Sequence, residues 1–87
     1  MRKIDFKIIP EIIRVDLDQV DAPGWYVLAW PNPQHGPAHR DFYLIHEETG
    51  AHDFIFGCDV LSNEHAASLA AANGPEYCEY ILRDEEI

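Results

Sequence analysis

Cations, aliphatic hydroxyls, cysteines and long apolar runs are all scarce in this chain. Six Lys and Arg stand against sixteen Asp and Glu, for a net charge of −10. That balance argues against direct binding to nucleic acid or anionic lipid, because both need clustered cations to displace counterions. The aliphatic hydroxyls are Ser62, Ser68 and Thr49. Ser62 reads as a helix cap, Ser68 falls in an alanine-rich helical stretch and Thr49 sits in a turn, so none is left for nucleophilic chemistry. Cys58 and Cys78 are too few for a disulfide scaffold and form no CxxC motif, which predicts reduced thiols and a cytoplasmic chain. Asp59, next to Cys58, disfavours a thiolate there. No segment approaches the roughly 18 apolar residues of a membrane span. At the start of the chain, Asp5, Lys7, Pro10 and Glu11 break up the apolar core that a signal peptide needs. Phosphate-cradling glycine loops and the usual metal-ligand spacings are also missing, so the sequence predicts no enzyme, no cofactor and no metal site.

What is present is hydrophobic material, at 47% of 87 residues, including ten aromatics. This is too much for a disordered chain and enough for one core, so residues 1–87 are expected to form a single domain. A domain of this size should be stable by about 4–13 kcal/mol. The charge is uneven. Residues 1–15 hold Arg2, Lys3, Lys7 and Arg14 against Asp5 and Glu11, or +2, which leaves −12 for the remainder.

Apolar periodicity is near two over the first two-thirds of the chain and becomes helical later. Ile4, Phe6 and Ile8 alternate with charged residues, as do Ile13, Val15 and Leu17 with Arg14, Asp16 and Asp18. Two strands with a break at Pro10 follow from this. "WYVLAW", residues 25–30, is nearly all apolar and reads as the centre of a sheet. The segment "PNPQHGPAH" has too many prolines for a regular helix and reads as a long loop. "DFYLIH" and "DFIFG" flank the turn sequence "EETGA". A three-residue loop with Gly50 in the left-handed conformation would set His46 opposite His52, Leu44 opposite Phe54 and Phe42 opposite Phe56, which gathers the apolar residues on one face. Ser62 should cap a helix ending at Asn73-Gly74, and Pro75 should open a second helix, although Cys78, Tyr80 and Leu82 also alternate as a strand would. The fold class expected is therefore α+β: an antiparallel, meander-like sheet of about five strands packed by one or two C-terminal helices.

Four of the five histidines, His35, His39, His46 and His52, fall between residues 35 and 52. A cross-strand His46–His52 pair could hold two sides of an ion, but the spacing of His35 and His39 does not aim them together, so hydrogen-bonding histidines are expected instead. Trp25, Tyr26 and Trp30 surround one strand and cannot all hide behind one helical layer. Trp30, flanked by Pro31 and Pro33, becomes the expected anchor for a partner protein or for a second copy of the chain. Together with Glu47, Glu48, Asp53, Glu85 and Glu86 it forms the expected partner-binding set. These acids are read as engaging a basic protein partner, as an inhibitor or decoy of a nucleic-acid-binding protein would. The alternative reading is a small ligand- or metal-binding domain built on the histidine-bearing hairpin and the proline-rich loop.

Overall fold

Among the described residues the fold is α+β: four antiparallel strands in an open sheet and one C-terminal helix. It is seen in a computed structural model that describes residues 12–17 and 23–85, with side chains through 83. The strands are β1 (Ile13–Asp16), β2 (Trp25–Pro31), β3 (His39–His46) and β4 (His52–Asp59), and the helix α1 is Asn63–Glu85. Strand order is β1-β2-β3-β4, a plain meander. Four strands are described where about five were expected; the strand anticipated over residues 3–8 lies outside the described residues.

The alternation in β1 gives the two faces of the sheet. Ile13, Val15 and Leu17 meet α1, whereas Arg14 lies on the other side. From β2 and β3, Val27, Ala29, Phe42 and Leu44 join this helix-side core, met by Val60 and by Ala66, Ala70 and Cys78 of the helix. "WYVLAW" is central as its composition requires, since Val27, Leu28 and Ala29 are all fully buried. Among the described residues no helix is long and apolar enough to cross a membrane.

The β3–β4 register differs from the one the sequence suggests. Near the turn, Ile45 faces His52 and Leu44 faces Asp53; further along, Phe42 faces Phe56. The change comes from a bulge between Phe42 and Tyr43, opposite which Ile55 is the extra residue. His46 is thus opposite Ala51, not His52: its N–H donates to Ala51 O at 2.8 Å, closing a loop of four residues instead of three. Gly50 takes φ +72° as the turn demands. The expected Phe42–Phe56 pair is present, with rings stacked 4.3 Å apart, while Phe54 faces Tyr43 instead of Leu44 and is turned to the opposite side of the sheet.

The helix also departs from expectation. Ser62 caps it as anticipated, with Oγ accepting from His65 N at 3.1 Å, and His65 Nδ1 in return accepts from Leu61 N at 2.9 Å. Asn73-Gly74-Pro75 then fails to end it, and residues 63–85 form one helix of 23 residues. Asn73 Nδ2 donates to Leu69 O at 2.9 Å, and Gly74 has no positive φ and so is not a left-handed terminator. Its role is spacing: a Cβ there would lie 2.8 Å from Val27 Cγ2 and 3.0 Å from Leu17 Cδ2. Pro75 removes one N–H, but packing of the helix against β1, β2 and β3 outweighs that local loss.

Candidate interaction face

The side of the sheet away from α1 is apolar as well. Ile12, Tyr26 and Leu28 are buried there with Ile45 beside them, although the helix covers only the opposite side. Cross-strand register assigns this face Tyr26 with Ile45, Leu28 with Tyr43, and Trp30 with Asp41; Tyr43 then meets Phe54 edge to face at 5.7 Å. Arg14 covers the Tyr26 ring at 4.0 Å and bonds Asp16 at 2.7 Å and Glu47 at 3.3 Å, so one end of the face is closed by an ion-pair cluster.

Among the described residues the middle stays open. Leu28, Trp30, Tyr43, Ile45 and His52 line a shallow hollow of about 330 Å³. Trp30 is 38% exposed and Phe54, on β4 opposite Tyr43, is 58% exposed. These two large rings rest on a strand-built floor and face water.

Carboxylates also stand at the far end. Asp41 accepts from Asn32 Nδ2 at 2.6 Å through one oxygen and meets His39 Nε2 at 3.0 Å through the other. His39 Nδ1 lies 3.5 Å from Asp59 Oδ1, whose side chain is 75% exposed. Gly57 makes this cluster possible, because a Cβ at that position would fall 2.9 Å from His39 Nε2. No residue pattern along the chain announces it. The spacing of His35 and His39 also misled: their rings lie 5.0 Å apart. A 3₁₀ turn at Pro33–His35 folds back under an Asn32 N–H bond to His39 O at 3.1 Å, and this brings the two rings together without a helix.

Each hairpin histidine has its own local role. His46 Nδ1 accepts from the N–H groups of Glu48 and Thr49 at 3.3 and 3.2 Å, and its ring meets Trp25 edge-on at 5.0 Å. His52 Nδ1 lies 3.3 Å from Gly50 O. Among the described residues no three of His, Cys, Asp and Glu are placed to hold a metal ion.

The sequence-predicted partner residues are not brought into one patch. Trp30 lies on the open sheet face. Glu47 is tied to Arg14, Glu48 is exposed in the hairpin turn, and Asp53 is exposed on β4, opposite Leu44 and so on the helix side. Glu85 ends α1, and Glu86 lies outside the described residues. A second hollow of about 390 Å³ lies along α1, lined by Asn73, Glu76, Tyr77, Glu79, Tyr80 and Arg83. It is the larger of the two, but it is lined by one helix, whereas the sheet hollow draws on three strands.

Burial raises both thiols above their ordinary value of 9.0, with Asp59 adding to the rise at Cys58 and Glu79 at Cys78. Burial also raises the Tyr26 phenol above 10.0, partly offset by Arg14. All three groups therefore favour the folded state in their protonated forms. That stabilisation is complete below about pH 9 and is lost as pH rises through the ordinary thiol and phenol range towards the raised folded values. Urea unfolding is expected to give a constant free energy from about pH 7 to 8 and a decline from about pH 9 to 11; a rise over the second interval would contradict this assignment.

No protein family, curated protein or solved structure matches this chain.

Proposed function

We propose that this chain is a non-catalytic protein-interaction domain that receives a basic segment of a partner protein on the sheet face opposite α1. The observation that carries the reading is Trp30 and Phe54, 38% and 58% exposed on a face already packed with apolar side chains and flanked by carboxylates at both ends. An aromatic centre inside a polar rim is the arrangement in which a few residues supply most of the binding energy. At the Asp59 end that rim is anionic, and the chain as a whole carries −10. A segment mixing Lys or Arg with apolar residues fits best, its cations meeting the exposed Asp59 carboxylate and its apolar side chains covering Trp30 and Tyr43. Where the partner uses those cations to hold nucleic acid, occupation would mask them, which is how an inhibitor or decoy acts.

The ligand- or metal-binding alternative has less support, because His46 is committed to its turn and the other hairpin histidine lies on the opposite face. The partner-binding residues of the proposal keep Trp30 and shift from the hairpin and C-terminal acids to Tyr43, Phe54 and Asp59.

The test is an NMR titration of isotope-labelled protein with a synthetic peptide alternating Arg and Leu, with a Glu–Leu peptide as control. Shifts are expected at the Trp30 indole and along Tyr43 and Phe54 for the basic peptide alone. Trp30→Ala should weaken binding at least about tenfold, and raising salt from about 0.05 to 0.3 M should slow association more than it speeds dissociation. Shifts confined to α1, or equal responses to both peptides, would remove the proposal.

A further inference from the structure

We infer that β4 pairs antiparallel with β4 of a second copy of this chain, joining two four-stranded sheets into one of eight. This pairing runs along the sheet edge beside the hollow; its argument does not rest on the function proposed above, although the two share Phe54 and Asp59.

Among the described residues, the outer side of β4 is unpaired, and α1 packs mainly on β1, β2 and β3, meeting β4 through Tyr77 on Phe56. An eight-residue edge with "FIF" at its centre is the kind of strand that natural proteins either shield or pair. The backbone defines which groups are available. His46 N–H donates to Ala51 O at one end of the hairpin and Val60 N–H donates to Ala38 O at 2.9 Å at the other, so Ala51 and Val60 both turn these groups inward. Alternation from each end leaves the N–H and C=O of His52, Phe54, Gly57 and Asp59 pointing outward. The bulge at Ile55 moves the outward set from even to odd positions, so these four residues cannot belong to one uninterrupted strand.

One antiparallel register uses all four. It sets His52 opposite Asp59 of the partner and Phe54 opposite Gly57 of the partner, with a two-fold axis between Ile55 and Phe56. His52, Phe54, Gly57 and Asp59 all lie on the sheet face away from α1, so side chains and backbone agree together. Phe54, 58% exposed in one copy, then lies over a glycine that offers a bare backbone, an aromatic–glycine pairing that favours strand association. The ring of His52 meets a carboxylate. A slip of one residue would instead oppose Asp53 with Asp59 of the other copy and mismatch the two faces. The same charges that discourage random edge pairing therefore select this register. With −10 on each copy, association should strengthen as salt rises.

The register places Asp53 opposite Cys58 of the partner as a non-hydrogen-bonded pair, with Cα atoms about 4.5 Å apart, close enough for a disulfide once a thiol replaces the carboxylate. Sedimentation of the wild-type chain in about 0.3 M salt is expected to show a monomer–dimer equilibrium that tightens with salt. Phe54→Lys, confirmed folded by circular dichroism, should raise the dimer dissociation constant at least about tenfold. Under mild oxidation Asp53→Cys should give disulfide-linked dimers in which peptide mapping finds the introduced thiol joined to Cys58 of the other copy. The wild type, whose two Cys58 thiols would be far apart, should give none. Monomer alone at millimolar concentration, a dimer indifferent to Phe54→Lys, or no added cross-linking in Asp53→Cys would each overturn the inference.

Discussion

Phe42→Ala is expected to lower the free energy of unfolding by about 3–5 kcal/mol, against a total of about 4–13 for a domain of this length. Phe42 is the largest of the fully buried side chains and has no exposed surface. Its ring stacks on Phe56 at 4.3 Å, and Phe56 in turn stacks on Tyr77 of α1 at 5.8 Å, so one ring ties β3 to β4 and through it to the helix. Truncation would leave a cavity bordered by Ala66 and Ala70, which are too small to fill it. Phe54→Ala provides the contrast. It removes the same ring from the same hairpin, but from an exposed position, and its cost should stay within about 1 kcal/mol. Urea unfolding followed by far-ultraviolet circular dichroism measures both. A cost below about 1 kcal/mol for Phe42→Ala, or equal costs for the two variants, would show that the aromatic stack does not hold the hairpin to the helix.

These two phenylalanines also show how far the sequence could be read. Alternation identified β1 and both hairpin strands, because period-two burial is a local property that strands impose on neighbouring residues, and β2 was legible as a continuous apolar run. Register is not local. "DFYLIH" against "DFIFG" admits two registers, each burying a different part of the apolar set, and the chain uses one near the turn and the other beyond it by inserting Ile55 as a bulge. The Phe42–Phe56 register carried through to the turn would put Phe54 opposite Leu44 in the helix-side core; the bulge sends it to the other face, where it becomes a candidate contact for partners. The far-end cluster was hidden for a similar reason. His39 and Asp41 are two apart on a strand and so share a face, but nothing in the sequence says that Gly57 stands opposite and leaves them room. Trp30 was legible because three large aromatics around one strand exceed what a single helical layer can cover. The acids were legible only as a total: Glu47 is drawn to Arg14 by a contact 33 residues away in sequence, and Asp53 is turned to the helix side by the register.

Gly74→Ala is expected to destabilise the protein by about 1–3 kcal/mol, although the same change in an exposed helix interior stabilises by about 1. The sign turns on a close approach between helix and sheet. A Cβ on Gly74 would come within 2.8 Å of Val27 Cγ2 and 3.0 Å of Leu17 Cδ2. Leu17 can swing the end of its side chain aside, but Val27 cannot: it is β-branched, fully buried and held opposite Leu44 in the middle of the sheet. The remaining response is for α1 to rise from β2, which loosens the contacts of Ala70 and Cys78 on the same helix face. Bulk should scale the effect, so Gly74→Leu is expected to cost more than Gly74→Ala, whereas helix propensity alone would favour both over glycine. Ala72, exposed two residues earlier, supplies the reference for propensity, and Ala72→Gly should cost about 1 kcal/mol with no packing component. Thermal unfolding of the three variants decides the matter. If Gly74→Ala raises the melting temperature, the glycine is there for some reason other than spacing, and the close packing of α1 on Val27 ceases to explain why a chain marked Asn-Gly-Pro continues as helix.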